Sequence, residues 1–405
     1  MWWWCSIHLR RVLVGCTLLA ASSLAVSVAR APDRDEAWVI SQIVAGKFDE
    51  LRSLEALSAQ GVPFAMYWWG AMLERCIFER CDKGGARELI LRAAVAGSGR
   101  AKAHVLGGAE TREEFDEIVA KIGNPAGGRE RVVYVGRNLL SIQVPRELGG
   151  APRARDAKLR ADLLAMAKSE LQIGMRAIVA QLQGPTSTDL DVLAETGNDV
   201  FSEPLMQRAL IRRISDLEII ERARAGQLAM AAAYCDSLMI RTGRLTMERD
   251  ELDVCQRAAQ AGFPGAVRGL LTHHQGARNM PAADYFVGLC DAVLGLRCAN
   301  AISEYYGDRS KESAELKANR VFWDLAAANA MTGVYAFGGV SEEELRGKTP
   351  ELARELFRLI VRTDLIAEAC AMRRLDPATG AVEANPQCPW RRSIAIPAEF
   401  LSSAK

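Results

Sequence analysis

Apolar positions recur along most of this chain at helical spacing, and glycines and prolines punctuate them. Val39, Ile40, Ile43 and Val44 share one face of a helix that the pattern predicts over residues 37–57. Val62-Pro63 opens a second helix, since proline is tolerated in a first turn, where its missing N–H would be unpaired anyway. That helix carries Tyr67, Trp68 and Trp69, with Cys76 and Cys81 at its end and residues 86–96 as its partner. Helical periodicity returns over 112–122, 156–182 and 350–372. Val132-Val133-Tyr134-Val135 could pass for a short strand, but its flanking charges and spacing favour helix. Breakers divide these segments: Asn124-Pro125-Ala126-Gly127-Gly128, residues 149–155, and Gly184-Pro185. Near the C-terminus, Pro377, Gly380, Pro386, Pro389 and Pro397 enforce irregular structure.

A short phrase repeats within this pattern. Ala59-Gln60-Gly61 is followed by Ala65, and Ala93-Ala94-Val95-Ala96-Gly97 by Ala101. Ala223-Arg224-Ala225-Gly226 is followed by Ala229, and Ala258-Ala259-Gln260-Ala261-Gly262 by Ala266. Gly61 to Gly97 and Gly226 to Gly262 both span 36 residues, a period that marks a helical repeat array. The beat continues more weakly at Gly295 and Ala330. Alanine faces let helices approach closely, and each glycine supplies the left-handed conformation that a helix stop needs. One hairpin cannot bury its apolar face alone, so neighbours stack. The expected fold class is therefore all-α, a solenoid of antiparallel helical hairpins.

Residues 56–107 and 223–270 resemble the Sel-one-like repeat family, relatives of the tetratricopeptide repeats. The family phrase is A-x-x-G-x-x-x-A-x-x-x-L-G, a loop, then A-x-x-x-x-x-x-A-A-x-x-G. A match to it would end the helix of Tyr67, Trp68 and Trp69 at Trp69-Gly70 and resume at Ala86. Cys290-x7-Cys298 followed by Tyr305-Tyr306-Gly307 resembles the cysteine-rich secreted branch of that family, in which cysteines eight positions apart join one helix end to the next helix start. The likeness covers about half of the chain. The expected organisation is a signal segment at 1–31, a repeat block at 32–110 and an irregular helical segment or degenerate repeats at 111–200. A second repeat block follows at 201–340, then a helical cap with an irregular tail at 341–405.

The N-terminus adds a compartment. Arg10-Arg11 precede an apolar run over 12–28 that ends near Ala29-Arg30-Ala31, the order of a secretory signal with cleavage near 29–31. Two alternatives stay open: an uncleaved membrane anchor over the same run, and lipidation at Leu13-Val14-Gly15-Cys16. Beyond Cys5 and Cys16, the remaining eight of 10 cysteines fall in sequence-local pairs. An even number behind an export signal suggests disulfides. Eight cysteines allow about 105 connectivities. The economical one joins neighbours, because stacked hairpins touch only adjacent units: Cys76 with Cys81, Cys235 with Cys255, Cys290 with Cys298, Cys370 with Cys388. Cys76 and Cys81 would face different sides of a continuous helix, so their pairing requires the helix to have stopped.

Composition narrows the function. With 49% hydrophobic residues the chain has material for a core, and a net charge of +1 gives no argument for nucleic acid. There is no G-x-S-x-G elbow, H-E-x-x-H pair, P-loop or C-x-x-C. Ser402-x-x-Lys405 lacks its K-T-G companion. His104, His273 and His274 are expected in loops between repeat helices, with no metal or cofactor role. The best candidate surface is aromatic: Tyr67, Trp68 and Trp69, then Tyr305 and Tyr306, read either as core or as rings on a concave face. By resemblance, the expectation is an exported, non-enzymatic scaffold that presents a concave surface to a protein or peptide partner in the cell envelope. The competing reading is an envelope enzyme or ligand binder acting on peptidoglycan-like or β-lactam molecules.

Overall fold

The computed structural model describes residues 34–78, 81–109, 112–123, 216–228, 243–309, 311–331, 350–373, 385–390 and 392–401, with isolated positions around 134, 161–165, 231–238 and 383. The expectations for the signal segment, for most of 111–200 and for 332–349 lie outside them. The described residues are helical, with no strand among them.

The first block is built of α1 (Glu36–Val44), a 3-10 turn (Phe48–Ser53), α2 (Leu54–Ala59), α3 (Pro63–Glu74), α4 (Lys83–Val95), α5 (Gly99–Gly108) and α6 (Arg112–Ile122). The helix expected over 37–57 is in three pieces. Gly46 at φ +74° ends α1, and Lys47 N donates back to Gln42 O at 2.9 Å. The second expectation to change is the end of α3, which passes Gly70 and stops at Glu74. Inside the helix, Gly70 serves close packing: a Cβ there would stand 2.9 Å from Ile90 and 3.0 Å from the Ala86 carbonyl of α4.

The second block comprises α7 (Asp216–Arg224), α8 (Arg249–Gln260), α9 (Pro264–Gly276) and α10 (Met280–Leu294). A 3-10 turn (Gly295–Cys298), α11 (Ala299–Arg309) and α12 (Ala314–Met331) follow. Gly265 and Gly269 on α9 admit the carbonyls of Ala232 and Cys235. Met280–Gly307 is long and apolar enough to cross a membrane by length and composition. Its side chains Ala282, Phe286, Cys290 and Leu294 are buried within this chain, and Gly295 at φ +55° interrupts it.

All four repeat glycines have left-handed backbones: Gly61 at φ +80°, Gly97 at +98°, Gly226 at +100° and Gly262 at +80°. The residue after each sends its N–H five positions back: Val62 to Leu57 (3.1 Å), Ser98 to Ala93 (2.9 Å), Gln227 to Arg222 (3.0 Å) and Phe263 to Ala258 (3.1 Å). This is the bond that satisfies otherwise orphaned carbonyls at a helix end. Proline then opens α3 and α9.

The long helix α13 (Pro350–Ala371) lies between the two blocks. Toward the first, Phe357 meets the rings of Phe48 and Trp68, each with centroids 6.4 Å away, and Arg354 donates to Ile77 O at 3.3 Å. Arg100 bridges Glu36 of α1 (3.2 Å) and Glu368 of α13 (2.8 Å). Toward the second block, Arg362 pairs with Asp291, and the Leu296 amide donates to the Thr363 hydroxyl at 2.8 Å. A Cβ on Gly295 would fall on that hydroxyl. One continuous cluster of buried apolar side chains accordingly runs from Val39 to Ile396.

The eight cysteines form four pairs with sulfurs at bonding distance and Cα separations that suit disulfides: 4.6 Å for Cys76–Cys81, 5.8 Å for Cys235–Cys255, 5.9 Å for Cys290–Cys298 and 4.9 Å for Cys370–Cys388. After Cys76 the chain is no longer helical at Ile77 and Phe78, and Cys76 itself has φ +54°.

Candidate functional site

The aromatic residues singled out from sequence are core. Tyr67, Trp68 and Trp69 are buried, as is every residue of α3 from Ala65 to Leu73. The helix is covered on all sides, so consecutive rings that point in different directions are each enclosed. Trp68 donates to Glu36 at 3.1 Å, Tyr67 sits edge-on to it at 5.0 Å, and Trp69 meets Phe78 at 5.1 Å. Tyr305 is buried with its hydroxyl between Asp284 and Arg309, and Tyr306 packs half-buried against its ring. Tyr67, Trp68, Trp69 and Tyr305 are therefore internal packing rather than a partner surface, and Tyr306 is half-buried beside them.

The histidines are likewise helical rather than in loops. His104 lies on α5, 3.6 Å from the Glu74 carboxylate. Burial pushes that carboxyl up, against the pull of Arg75, and pushes buried Arg75 down to about 10. His273 accepts the Met247 amide through Nδ1 at 2.9 Å. His274 stacks on Phe286 with centroids 5.2 Å apart, and its Nε2 has no hydrogen-bond partner among the described residues. Burial, then the neighbouring His273, drives His274 down to about 4. It is a neutral core side chain. Glu251, whose charge acts on His273, is consumed structurally: Tyr234 (2.5 Å), Arg244 (2.8 Å) and the Glu248 amide (2.7 Å) all donate to it. Among the described residues no group of three or more His, Cys, Asp or Glu is placed to hold a metal. Ser402 and Lys405 lie outside them.

What the fold does assemble is a groove holding an extended segment. After α13, Cys388 stands beside Cys370, and buried Trp390 donates its indole N–H to Val293 O at 3.0 Å. Residues 392–397 then run without helix, and Ala398–Leu401 makes one turn. Arg392 lies with its backbone on Gly262, where a Cβ would collide with it. The Ile394 amide donates to Gln260 O at 2.8 Å. The Tyr285 hydroxyl donates to Ala395 O at 3.1 Å, and Gln256 Nε2 to Leu401 O at 2.8 Å. Ile396 is buried, and the Phe400 ring rests 5.2 Å from that of Tyr285. The contacts pass from Val293 to Tyr285 and from Gly262 to Gln256 as the segment advances, so it runs in the opposite sense to both α8 and α10.

Sequence reasoning places Cys388 near Cys370 but does not find Tyr285, Gln256 or Ile394. The only local hint is Pro397 after an Ile-x-Ile run, which suits an extended strip. Comparison with protein-family models, with curated proteins and with solved structures finds no match to this chain.

Proposed function

We propose that this chain is an exported, non-enzymatic interaction scaffold built of Sel-one-like repeats, a disulfide-stapled solenoid of helical hairpins that presents a surface to a protein partner in the cell envelope. The observation that carries the reading is the groove between α8 and α10, where helices hold an extended stretch of chain by bonds to its backbone. Main-chain bonds for affinity with pockets for alternate side chains are a recurring way of recognising an extended peptide, best known at sheet edges. The left-handed glycines at a 36-residue interval support the repeat assignment. Four cysteine pairs at bonding distance support an oxidising compartment, the periplasm or the exterior, in line with the N-terminal signal pattern.

The test is photo-cross-linking in the exporting cell, with the probe at Asp253 or Gln256 on α8 and a control probe at Glu114 on α6. A defined partner cross-linked from α8 and not from α6 supports the scaffold. No adduct from either position, or turnover of a muropeptide or β-lactam by the purified chain, overturns it.

A further inference from the structure

We propose that residues 392–401 are a displaceable internal ligand, and that the α8–α10 groove takes a partner segment of the same chemistry. Such a segment is extended, has two aliphatic side chains at alternate positions with proline directly after the second, and carries an aromatic ring three residues beyond the proline. This deepens the scaffold reading by naming the class of partner.

Four observations converge. First, the groove bonds the segment's main chain at three places, Ile394 N, Ala395 O and Leu401 O. Backbone-directed bonds tolerate a change of sequence, so another segment of the same form can replace this one. Second, specificity resides in a spaced set of side chains: Ile394 and Ile396 on alternate positions of the extended run, then Phe400 on Tyr285. Pro397 holds the strip extended and has no N–H to leave unpaired. Third, the mooring and the strip are separate. Cys388 and Trp390 pack with Cys370 and Ala369 in a small cluster of their own, upstream of Arg392. Release of 392–401 therefore leaves the anchor in place and uncovers the Ile396 end of the main core. Fourth, Gly262 differs from its equivalents. A Cβ on Gly61, Gly97 or Gly226 would meet nothing within 4 Å, whereas on Gly262 it would strike Arg392. Among the described residues, this is the one helix stop of the four with a backbone laid across its glycine.

The tether sets the competition. A segment held on a short linker competes at an effective concentration on the order of millimolar. A free peptide must overcome that to enter the intact chain, and enters readily once the strip is loosened. The experiment uses the full chain, oxidised, with a fluorescein-labelled synthetic peptide of residues 392–401 and fluorescence anisotropy as readout. Ile396→Asp weakens the strip without touching the groove, and is expected to tighten peptide binding at least tenfold over the wild-type chain. Adding Tyr285→Phe and Gln256→Ala to that chain should reverse most of the gain, and a scrambled peptide should not bind. A chain ending at residue 391 is the second arm and should bind as the Ile396→Asp chain does. Equal binding by wild type and Ile396→Asp overturns the proposal, as does equal binding of the scrambled peptide. Dimerisation of the Ile396→Asp chain without peptide uptake assigns the groove to a second copy and also overturns it. Peptide binding with no cross-linked envelope partner would remove the scaffold reading and leave the groove assignment standing. A partner that cross-links at α8 while the peptide fails would do the reverse.

Discussion

The amide of Ile394 donates to the carbonyl of Gln260 at 2.8 Å, and two residues before it Arg392 crosses Gly262 backbone to backbone. The carbonyl of a repeat helix end is thus satisfied by the chain's own C-terminal strip. Gly262 has two reasons to be glycine where its equivalents have one. Placing an L-residue in the left-handed region costs roughly 1–2 kcal/mol. Gly61→Ala and Gly97→Ala should lower unfolding free energy by about that much. Gly262→Ala should cost more and should also expose residues 392–401 to limited proteolysis. Urea denaturation and a protease time course check both parts, and equal losses at the three sites without tail cleavage would contradict them.

Trp68 tests whether the Tyr-Trp-Trp run is core or surface. It is buried under Phe357 and donates to Glu36. Trp68→Ala should cost about 3–5 kcal/mol through the cavity and the lost transfer energy. The damage should reach the contact with α13, since Phe357 loses its neighbour. Thermal denaturation measures it, and a change below about 1 kcal/mol would place the ring outside the core.

His274 sets a pH dependence. Its folded value is pushed down to about 4, below the ordinary imidazole value near 6.5. Between those values the unfolded chain binds a proton that the folded chain refuses. Stability contributed by the neutral ring is therefore present above about pH 6.5, falls as pH drops toward 4, and then levels. His273, also lowered by burial against the opposing pull of Glu251, adds in the same direction. Urea midpoints at pH 7 and pH 4.5 should differ less in His274→Gln than in wild type. An unchanged difference would show that His274 does not carry the effect.

The cysteine pairs predict a redox dependence. Under denaturing, non-reducing conditions none of the eight paired cysteines should react with a thiol reagent, and all should after reduction. A 20-residue separation such as Cys235–Cys255 corresponds to a stabilisation of about 2–4 kcal/mol on closing the loop. Cys370→Ser with Cys388→Ser should loosen the tail mooring around Trp390 while the helices stay folded, read as faster limited proteolysis beyond Ala371 with unchanged helical circular dichroism.

Thr363 accepts the Leu296 amide and donates to Leu359 O at 2.7 Å, so one hydroxyl joins α13 to the second block beside the Arg362–Asp291 pair. Thr363→Val leaves a buried amide unpaired and should cost about 1–3 kcal/mol, whereas Thr363→Ser should be nearly neutral. Denaturation midpoints of the two variants decide it.

Features governed by near neighbours along the chain are legible in the amino-acid order itself. The left-handed stops at Gly61, Gly97, Gly226 and Gly262 follow from helix ends and a missing Cβ. Helix Arg112–Ile122 follows from its own periodicity, and the proximity of Cys235 to Cys255 or Cys290 to Cys298 from short separations. Even there the local signal has limits. Gly46 breaks the first helix where the apolar spacing continues, and Gly70 reads as a stop although its role is close packing on Ala86.

What lies beyond reach depends on contacts between distant residues. Whether the Tyr67-Trp68-Trp69 run faces water is decided by the helices that enclose α3, among them α13, which arrives nearly three hundred residues later. The position of α13 between two blocks is set by Phe357, Arg100, Arg362 and Thr363 finding partners on both sides. Tyr285, Gln256 and Gly262 meet residues 392–401 across more than a hundred residues of chain, and no spacing in the sequence encodes that meeting. Backbone geometry and capping act over a few residues, so the sequence alone determined the left-handed stops at Gly61, Gly97, Gly226 and Gly262 and which cysteines are neighbours. Burial is a property of the assembled chain, so only the tertiary structure decided which faces are core and which surface is already occupied.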